Sequence, residues 1–268
     1  VPHKFAYFEL CASTSERGAF LKSINTLRRN PDGTWHGDMF DGLGYVQALA
    51  LKGYKLQGKK ALLVGAGGAG SAIAHALVTG GVTALAIHDG DTLRRDALVQ
   101  RLASLGLCSV VAGSADPAGF DLAINATPMG MKEGDPYPMD VRQFNPGMLV
   151  GCVITAPAVP PMIEAARAMG CQTVTGSEYA RIYRTQARAL NGISDTTWAP
   201  EPTVGVRNGT QALPATDVTF IRRNPTDPPA AWAVVTYCPT CGPTLAIVRP
   251  ATPHGAATPL TAAYTRLA

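Results

Sequence analysis

Six residues, Gly65-Ala66-Gly67-Gly68-Ala69-Gly70, close a short apolar run and open a stretch of helical character. Glycine first permits a tight turn, glycine third lets a phosphate approach the backbone, and glycine sixth lets helix pack on strand. The free N–H groups and positive dipole end of such a helix face an anion, so the turn predicts a dinucleotide site. A purely structural glycine turn is the alternative, and the strand, helix and strand around it weigh against that. Asp89 falls 19 residues past Gly70, near the ~20-residue spacing of a carboxylate that receives the adenosine ribose hydroxyls. Such a carboxylate favours NAD and repels the 2′-phosphate of NADP. Arg94 and Arg95 follow closely enough to serve that phosphate, so NADP stays open. The bland reading of Asp89 is a cap on the next helix.

These residues need a scaffold, and residues 56–176 read as one. Strand-like runs at 59–64, 82–88, 109–112, 121–125, 148–154 and 173–174 alternate with helical stretches at 71–79, 93–105 and 160–169. Gly80-Gly81 caps the first helix and proline opens the last. That alternation predicts an α/β fold, a doubly wound Rossmann-type parallel sheet. Residues 1–50 read as the remnant of an N-terminal α/β substrate domain, with helical 5–11, strand-like 24–28 and helical 41–51. Fifty residues cannot bury a sizeable core alone. The expected divisions are a partial substrate domain at 1–52, an NAD(P)-binding Rossmann domain at 53–176, and a divergent tail at 177–268.

Composition narrows the class. The chain has 268 residues, 46% of them apolar, with a net charge of +4 and no basic block. Nucleic acid and membrane surfaces are therefore not expected partners, and no apolar run approaches the ~20 residues of a membrane span. Six cysteines do not make a disulfide scaffold, which favours a reduced cytoplasmic setting. Cys238-Pro239-Thr240-Cys241 resembles a zinc knuckle, but His254 is the only further ligand type in the tail, one short of four. A hairpin with incidental cysteines is expected there, and no metal. Lysine vanishes after Lys132, and 11 of the 21 prolines lie beyond residue 196. The tail, with strand-like runs at 218–222, 231–237 and 244–248, is expected to be a poorly ordered extension or, preferably, the product of a shifted reading frame. The opening Val1-Pro2-His3-Lys4 lacks a methionine, and residues are expected to be missing before it.

Lys4 in Val-Pro-His-Lys, Asn25 in Ile-Asn-Thr, Asp41 in Gly-Asp-Met-Phe-Asp-Gly, the glycine turn, and Asn125-Ala126-Thr127-Pro128-Met129-Gly130-Met131 occur in that order. Together they resemble the shikimate dehydrogenase family over about residues 1–176. The resemblance implies hydride transfer between a nicotinamide cofactor and 3-dehydroshikimate or a related cyclic polyol acid such as quinate. It makes Lys4 and Asp41 catalytic, and Lys4, Asn25, Asp41 and Gln186 substrate-binding. It places Glu16, Asn125, Thr127, Met131, Val153 and Gly176 with the glycine turn, Asp89 and Arg94 around the cofactor. An ammonium group beside the substrate carbonyl stabilises the developing oxyanion and supplies its proton. Taken singly, Lys4 reads as a surface lysine and Asp41 as a turn residue.

Departures from the family pattern bear on substrate and cofactor. Met39-Phe40 replaces Asn-Thr, Asp89-Gly90-Asp91 replaces Asn-Arg-Thr, and Cys152-x-x-Thr155 replaces Asp-x-x-Tyr. The family's substrate-binding glutamine position is Tyr183 here, with Gln186 one helical turn on. A Ser-x-Ser carboxylate clamp is expected ahead of Lys4. The partner is a small molecule, and a homodimer stays open. Two rival readings are a non-catalytic ligand-sensing relative and a folate-type one-carbon dehydrogenase.

Overall fold

Asn30-Pro31-Asp32-Gly33 interrupts the first fifty residues, and the chain turns there. The Asp32 carboxylate accepts the Thr34 N–H at 2.9 Å and Gly33 takes φ +85°, so the segment folds as a hairpin. In this computed structural model residues 4–190 are described, and beyond them the backbone of 207–208, 211–212, 232–238, 242–248 and 263–266. Helix α1 (Lys4–Glu9) leads into β1 (Ser13–Thr14), α2 (Glu16–Leu21), β2 (Thr26–Arg29) and β3 (Trp35–Asp38). These strands form a small sheet in the order β1-β3-β2. The sequence reading foresaw the helix after Lys4 and β2 but missed α2, β1 and β3. All three are too short to show a period. Ser15 nevertheless caps α2, its Oγ accepting the Gly18 N–H at 3.2 Å.

Helix α3 (Asp41–Leu51) then hands over to the main sheet, as expected. Its strands are β4 (Lys60–Val64), β5 (Ala84–His88), β6 (Ser109–Ala112), β7 (Leu122–Asn125), β8 (Leu149–Cys152) and β9 (Gln172–Val174). They are all parallel, in the order β6-β5-β4-β7-β8-β9. Helices α4 (Gly68–Thr79), α5 (Thr92–Ala103), α6 (Pro161–Ala168) and α7 (Gly176–Leu190) connect or follow them. This is the doubly wound arrangement predicted, with its topological switch between β4 and β7. Helix α4 begins at Gly68 rather than Ser71, because the last three residues of the glycine motif already form its first turn.

Alternation in β4 shows the two layers. Ala61 and Leu63 enter the core with Ile73, Leu77, Leu98 and Leu102, while Leu62 and Val64 join Met148, Met162 and Ile163 on the other face. Tyr45, Ala48 and Leu49 of α3 belong to the first of these cores. Lys4–Gln186 therefore forms one compact unit. Gly42 allows α3 to touch α4, since a β-carbon there would lie 2.1 Å from the Ala72 carbonyl oxygen.

The second unit contains two antiparallel ladders. One joins β10 (Arg207–Asn208) to β11 (Gln211–Ala212); the other orders β12 (Trp232–Cys238), β13 (Gly242–Val248) and β14 (Ala263–Arg266) as a meander. Cys238 pairs with Gly242 at the hairpin end, while Cys241, His254 and the expected strand at 218–222 lie outside the described residues. Among the described residues no cluster of metal-ligand types occurs, and no helix is long and apolar enough to cross a membrane.

Tyr45 provides a stability test. It is fully buried, its hydroxyl finds no hydrogen-bond partner among the described residues, and a β-carbon on Gly151 would lie 1.6 Å from its Oη. Tyr45→Phe should be neutral or stabilise by about 1 kcal/mol, because it removes an unsatisfied buried donor. Gly151→Ala should destabilise by about 1–3 kcal/mol through overpacking. Urea unfolding midpoints at unchanged slope check both; a Tyr45→Phe loss above that range would mean the hydroxyl has a partner.

Candidate active site

The turn after β4 is built as the chemistry requires. Gly65 takes φ +108° and packs on the start of the loop after β7, where its β-carbon would meet Ala126 at 2.8 Å. Gly70 closes over the Gly65 carbonyl, leaving no room for a side chain. Gly67 faces open space: a β-carbon there would meet nothing within 4 Å. The Ser71 N–H returns to the Gly67 carbonyl at 2.7 Å and its Oγ to the Ala66 carbonyl at 3.1 Å. The N–H groups of Gly68, Ala69 and Gly70 belong to the first helical turn, which has no intrahelical acceptors. This cradle, open beside Gly67 and set at a helix N-terminus, fits a dinucleotide pyrophosphate.

Asp89 follows β5 directly and is 8% exposed. Its Oδ2 accepts the Ala66 N–H at 2.6 Å, and its Oδ1 accepts the Asp91 N–H at 2.8 Å and Arg94 Nη2 at 2.7 Å. Helix capping falls instead to Asp91, which accepts the Arg94 N–H at 3.0 Å. The bland reading of Asp89 is thereby corrected. Burial pushes the Asp89 carboxyl up, but the Arg94 guanidinium and the two N–H groups outweigh it and hold it below the usual carboxylate range. One lone pair of Oδ2 remains for a hydroxyl donor. Arg94 is turned inward onto Asp89, with Asp91 at 3.8 Å on its other side.

Across the switch point, Asn125 is fully buried at the end of β7. Its Oδ1 accepts the Thr127 N–H at 2.9 Å and Thr127 Oγ1 at 2.6 Å, and its Nδ2 donates to the Met129 carbonyl at 3.1 Å and Cys152 Sγ at 3.4 Å. All four positions of the amide are taken. The side-chain amide of Asn125 therefore shapes the 126–131 loop. Met131 stands half exposed on that loop. The Val153 N–H joins the Asn125 carbonyl at 3.0 Å. Gly176 opens α7 against the Ile154 carbonyl, 2.0 Å from where its β-carbon would be.

Facing the turn is a buried polar cluster. Lys4, 8% exposed, donates from Nζ to Asp41 Oδ2; Asp41 is 3% exposed and sits in the first turn of α3, where the dipole favours a carboxylate. Asn25 Nδ2 donates to Asp41 Oδ1 at 2.7 Å, and its Oδ1 accepts the Phe40 N–H at 3.0 Å and Thr26 Oγ1 at 3.1 Å. Lys4 of α1, Asn25 just ahead of β2 and Asp41 of α3 thus come together. The stem of Lys4 lies against Gly68, so cluster and glycine turn share a boundary. An ammonium held this way keeps two N–H donors for a ligand oxygen.

Glu16, on the first turn of α2, lines a cavity of about 530 Å³ with Arg17, Phe20, Leu43, His75 and Thr79. Gln186 Nε2 donates to Gln47 Oε1 at 2.6 Å, two helical turns beyond Asp41 on α3. Tyr183, at the family's glutamine position, packs on Gly44, nearer Asp41. Sequence reasoning also missed Arg17. It donates from Nη2 to Asp38 at 2.6 Å and from Nε to the Met39 carbonyl at 2.9 Å, and its guanidinium lies 4.8 Å from the Phe40 ring centroid. It fixes the three residues that lead into Asp41. Its only sequence signal was Ser15, the cap of α2.

No family model matches the chain. The quinate/shikimate dehydrogenase (NAD(+)) of Corynebacterium glutamicum strain R is 35% identical over 187 residues, 67% of this chain and 65% of that protein. The shikimate dehydrogenase (NADP(+)) of Rhodospirillum rubrum is 31% identical over 183 residues, 66% of this chain and 65% of that one. The chain thus spans about two thirds of the length of these relatives. Among solved structures, quinate dehydrogenase from Corynebacterium glutamicum in complex with NAD superposes with a TM-score of 0.64 at 33% identity, covering 72% of this chain and 71% of that one. Shikimate 5-dehydrogenase from Listeria monocytogenes, in complex with shikimate and NAD, gives 0.64 at 26% identity, covering 70% and 69%. At 33% identity over 71% of that solved chain, with the fold shared, the chain belongs to the shikimate/quinate dehydrogenase family.

Proposed function

We propose that this chain carries the nicotinamide site and the proton-donating lysine of a dehydrogenase acting reversibly on shikimate, quinate or a related cyclic polyol acid. The observation that carries the reading is the buried Lys4–Asp41–Asn25 cluster bordering an open glycine turn. Gly65–Gly70 and Asp89 would hold the cofactor, which when bound supplies or accepts the hydride. Lys4 donates a hydrogen bond to the substrate carbonyl oxygen, stabilises its negative charge and delivers the proton. Asp41 aims that ammonium and accepts a neighbouring substrate hydroxyl, while Asn25 fixes the carboxylate plane. A ligand sensor has no use for a proton donor held by a buried carboxylate. Asp89 makes NAD the preferred cofactor. The low cysteine count favours a reduced, cytoplasmic setting.

Fluorescence titration with NADH and NADPH, followed by turnover assays on shikimate and quinate, tests the reading. NADH should bind at least tenfold more tightly, a difference of about 1.4 kcal/mol. Tighter NADPH binding would remove Asp89 from its role, and binding of neither would remove the cofactor site itself.

A further inference from the structure

The phosphate argument needs Gly65, Gly67 and Gly70; it makes no demand on Gly68. Helix propensity makes none either, since Gly68 is the first residue of α4 and alanine is the better helix former. Yet a β-carbon on Gly68 would lie 2.9 Å from Lys4 Cδ, 3.3 Å from Lys4 Cβ and 3.4 Å from Ser23 Oγ. The aliphatic stem of Lys4 rests on the bare Cα of this glycine. Lys4 has little freedom to recoil, because Asp41 holds its ammonium and its carbonyl accepts the Ile24 N–H at 2.8 Å. Ser23 is fully buried and its hydroxyl finds no partner among the described residues, so that side of the contact has no outlet to solvent.

We propose, resting on the dehydrogenase reading above, that Gly68 is a positioning residue for Lys4. Its missing side chain sets how far the lysine reaches past the head of α4, and so where the ammonium meets a substrate oxygen. Gly67 divides the labour with it. A side chain at 67 would obstruct only a bound phosphate, whereas one at 68 would displace the lysine.

The test compares Gly68→Ala with Gly67→Ala in the full chain, using NADH fluorescence titration and competitive acylation of lysine amines read by mass spectrometry. Gly68 meets a phosphate only through its backbone N–H, which alanine keeps, so Gly68→Ala should weaken NADH binding by no more than about threefold, while acylation of Lys4 rises towards that of the exposed lysines. Gly67→Ala should show the reverse: NADH binding weakened tenfold or more, on the order of 1.4 kcal/mol, with Lys4 still protected. Where turnover is measured, Gly68→Ala should lower kcat by roughly 100-fold with KM for NADH unchanged. Protection of Lys4 in Gly68→Ala, or loss of NADH binding together with protection, overturns the proposal. If the parent itself binds no NADH, the dehydrogenase reading fails and Lys4 acylation alone decides the role of Gly68. If Gly68→Ala is destabilised, thermal unfolding of Gly68→Ala with Lys4→Ala decides it. Removing the stem should restore most of the loss, and simple additivity overturns the proposal.

Discussion

Replacing Lys4 with methionine should lower turnover by about 10²–10⁴-fold, the range lost with a positioned proton donor, while leaving NADH binding nearly unchanged. Methionine keeps most of the stem that packs on Gly68, so the loss isolates the ammonium. Asp41→Ala should be as damaging and should also cost stability. It leaves the Lys4 ammonium, 10% exposed at the side chain, without its carboxylate partner, and an uncompensated buried charge costs about 3–5 kcal/mol. Lys4→Met with Asp41→Leu should recover most of that stability without recovering turnover, because removing both charges removes the desolvation problem and the chemistry together. Urea unfolding beside a turnover assay checks this. Equal stability of Asp41→Ala and the parent would mean that water reaches the lysine.

The second large effect concerns cofactor choice. Asp89→Ser should weaken NADH and tighten NADPH, shifting their ratio by about 100-fold, or ~2.7 kcal/mol. Arg94 is half exposed but is held by Asp89 and faced by Asp91. Once released, its planar guanidinium can meet a 2′-phosphate with two parallel donors. Asp89→Ser with Arg94→Leu should lose NADH affinity without gaining NADPH, and a gain there would assign the phosphate contact to Arg95. The same carboxylate also gives a pH signature. Its folded pKa is depressed, so its contribution to stability is present above the unfolded value of about 3.9 and is lost as pH falls through the folded value. Asp89→Asn should flatten that part of the acid unfolding profile.

The sheet was legible because period and punctuation agree: β4, the glycine turn and α4 each carry a local signal that the others repeat. Asp89 was legible by spacing alone. Its union with Arg94 and the Ala66 N–H was not, since it depends on how the β5–α5 turn folds back onto the loop after β4. Asn125 illustrates a different limit. Its type suits ligand contact, but only a structure shows that Thr127, Met129 and Cys152 consume every donor and acceptor it has. Gln186 was placed by residue type, and spacing did not announce that on α7 it meets Gln47 while Tyr183 lies against Gly44. Arg17 escaped notice because its partners, Asp38, Met39 and Phe40, lie across a hairpin. Nothing in local spacing announces such a contact.

The backbone contact of α3 on α4 at Gly42 and Ala72 also bears on how this family can be recombined. Helix α3 precedes the sheet in sequence, yet Tyr45, Ala48 and Leu49 are built into the core of the sheet. A chimera joined at the apparent linker after Leu51 would pair a foreign α3 with this α4 and place unmatched side chains against a carbonyl that tolerates none. A crossover just before Asp41 would keep that contact intact. The transferable module is then the Rossmann sheet together with the helix that delivers the carboxylate, and any exchanged lysine-bearing segment must still seat its stem on Gly68.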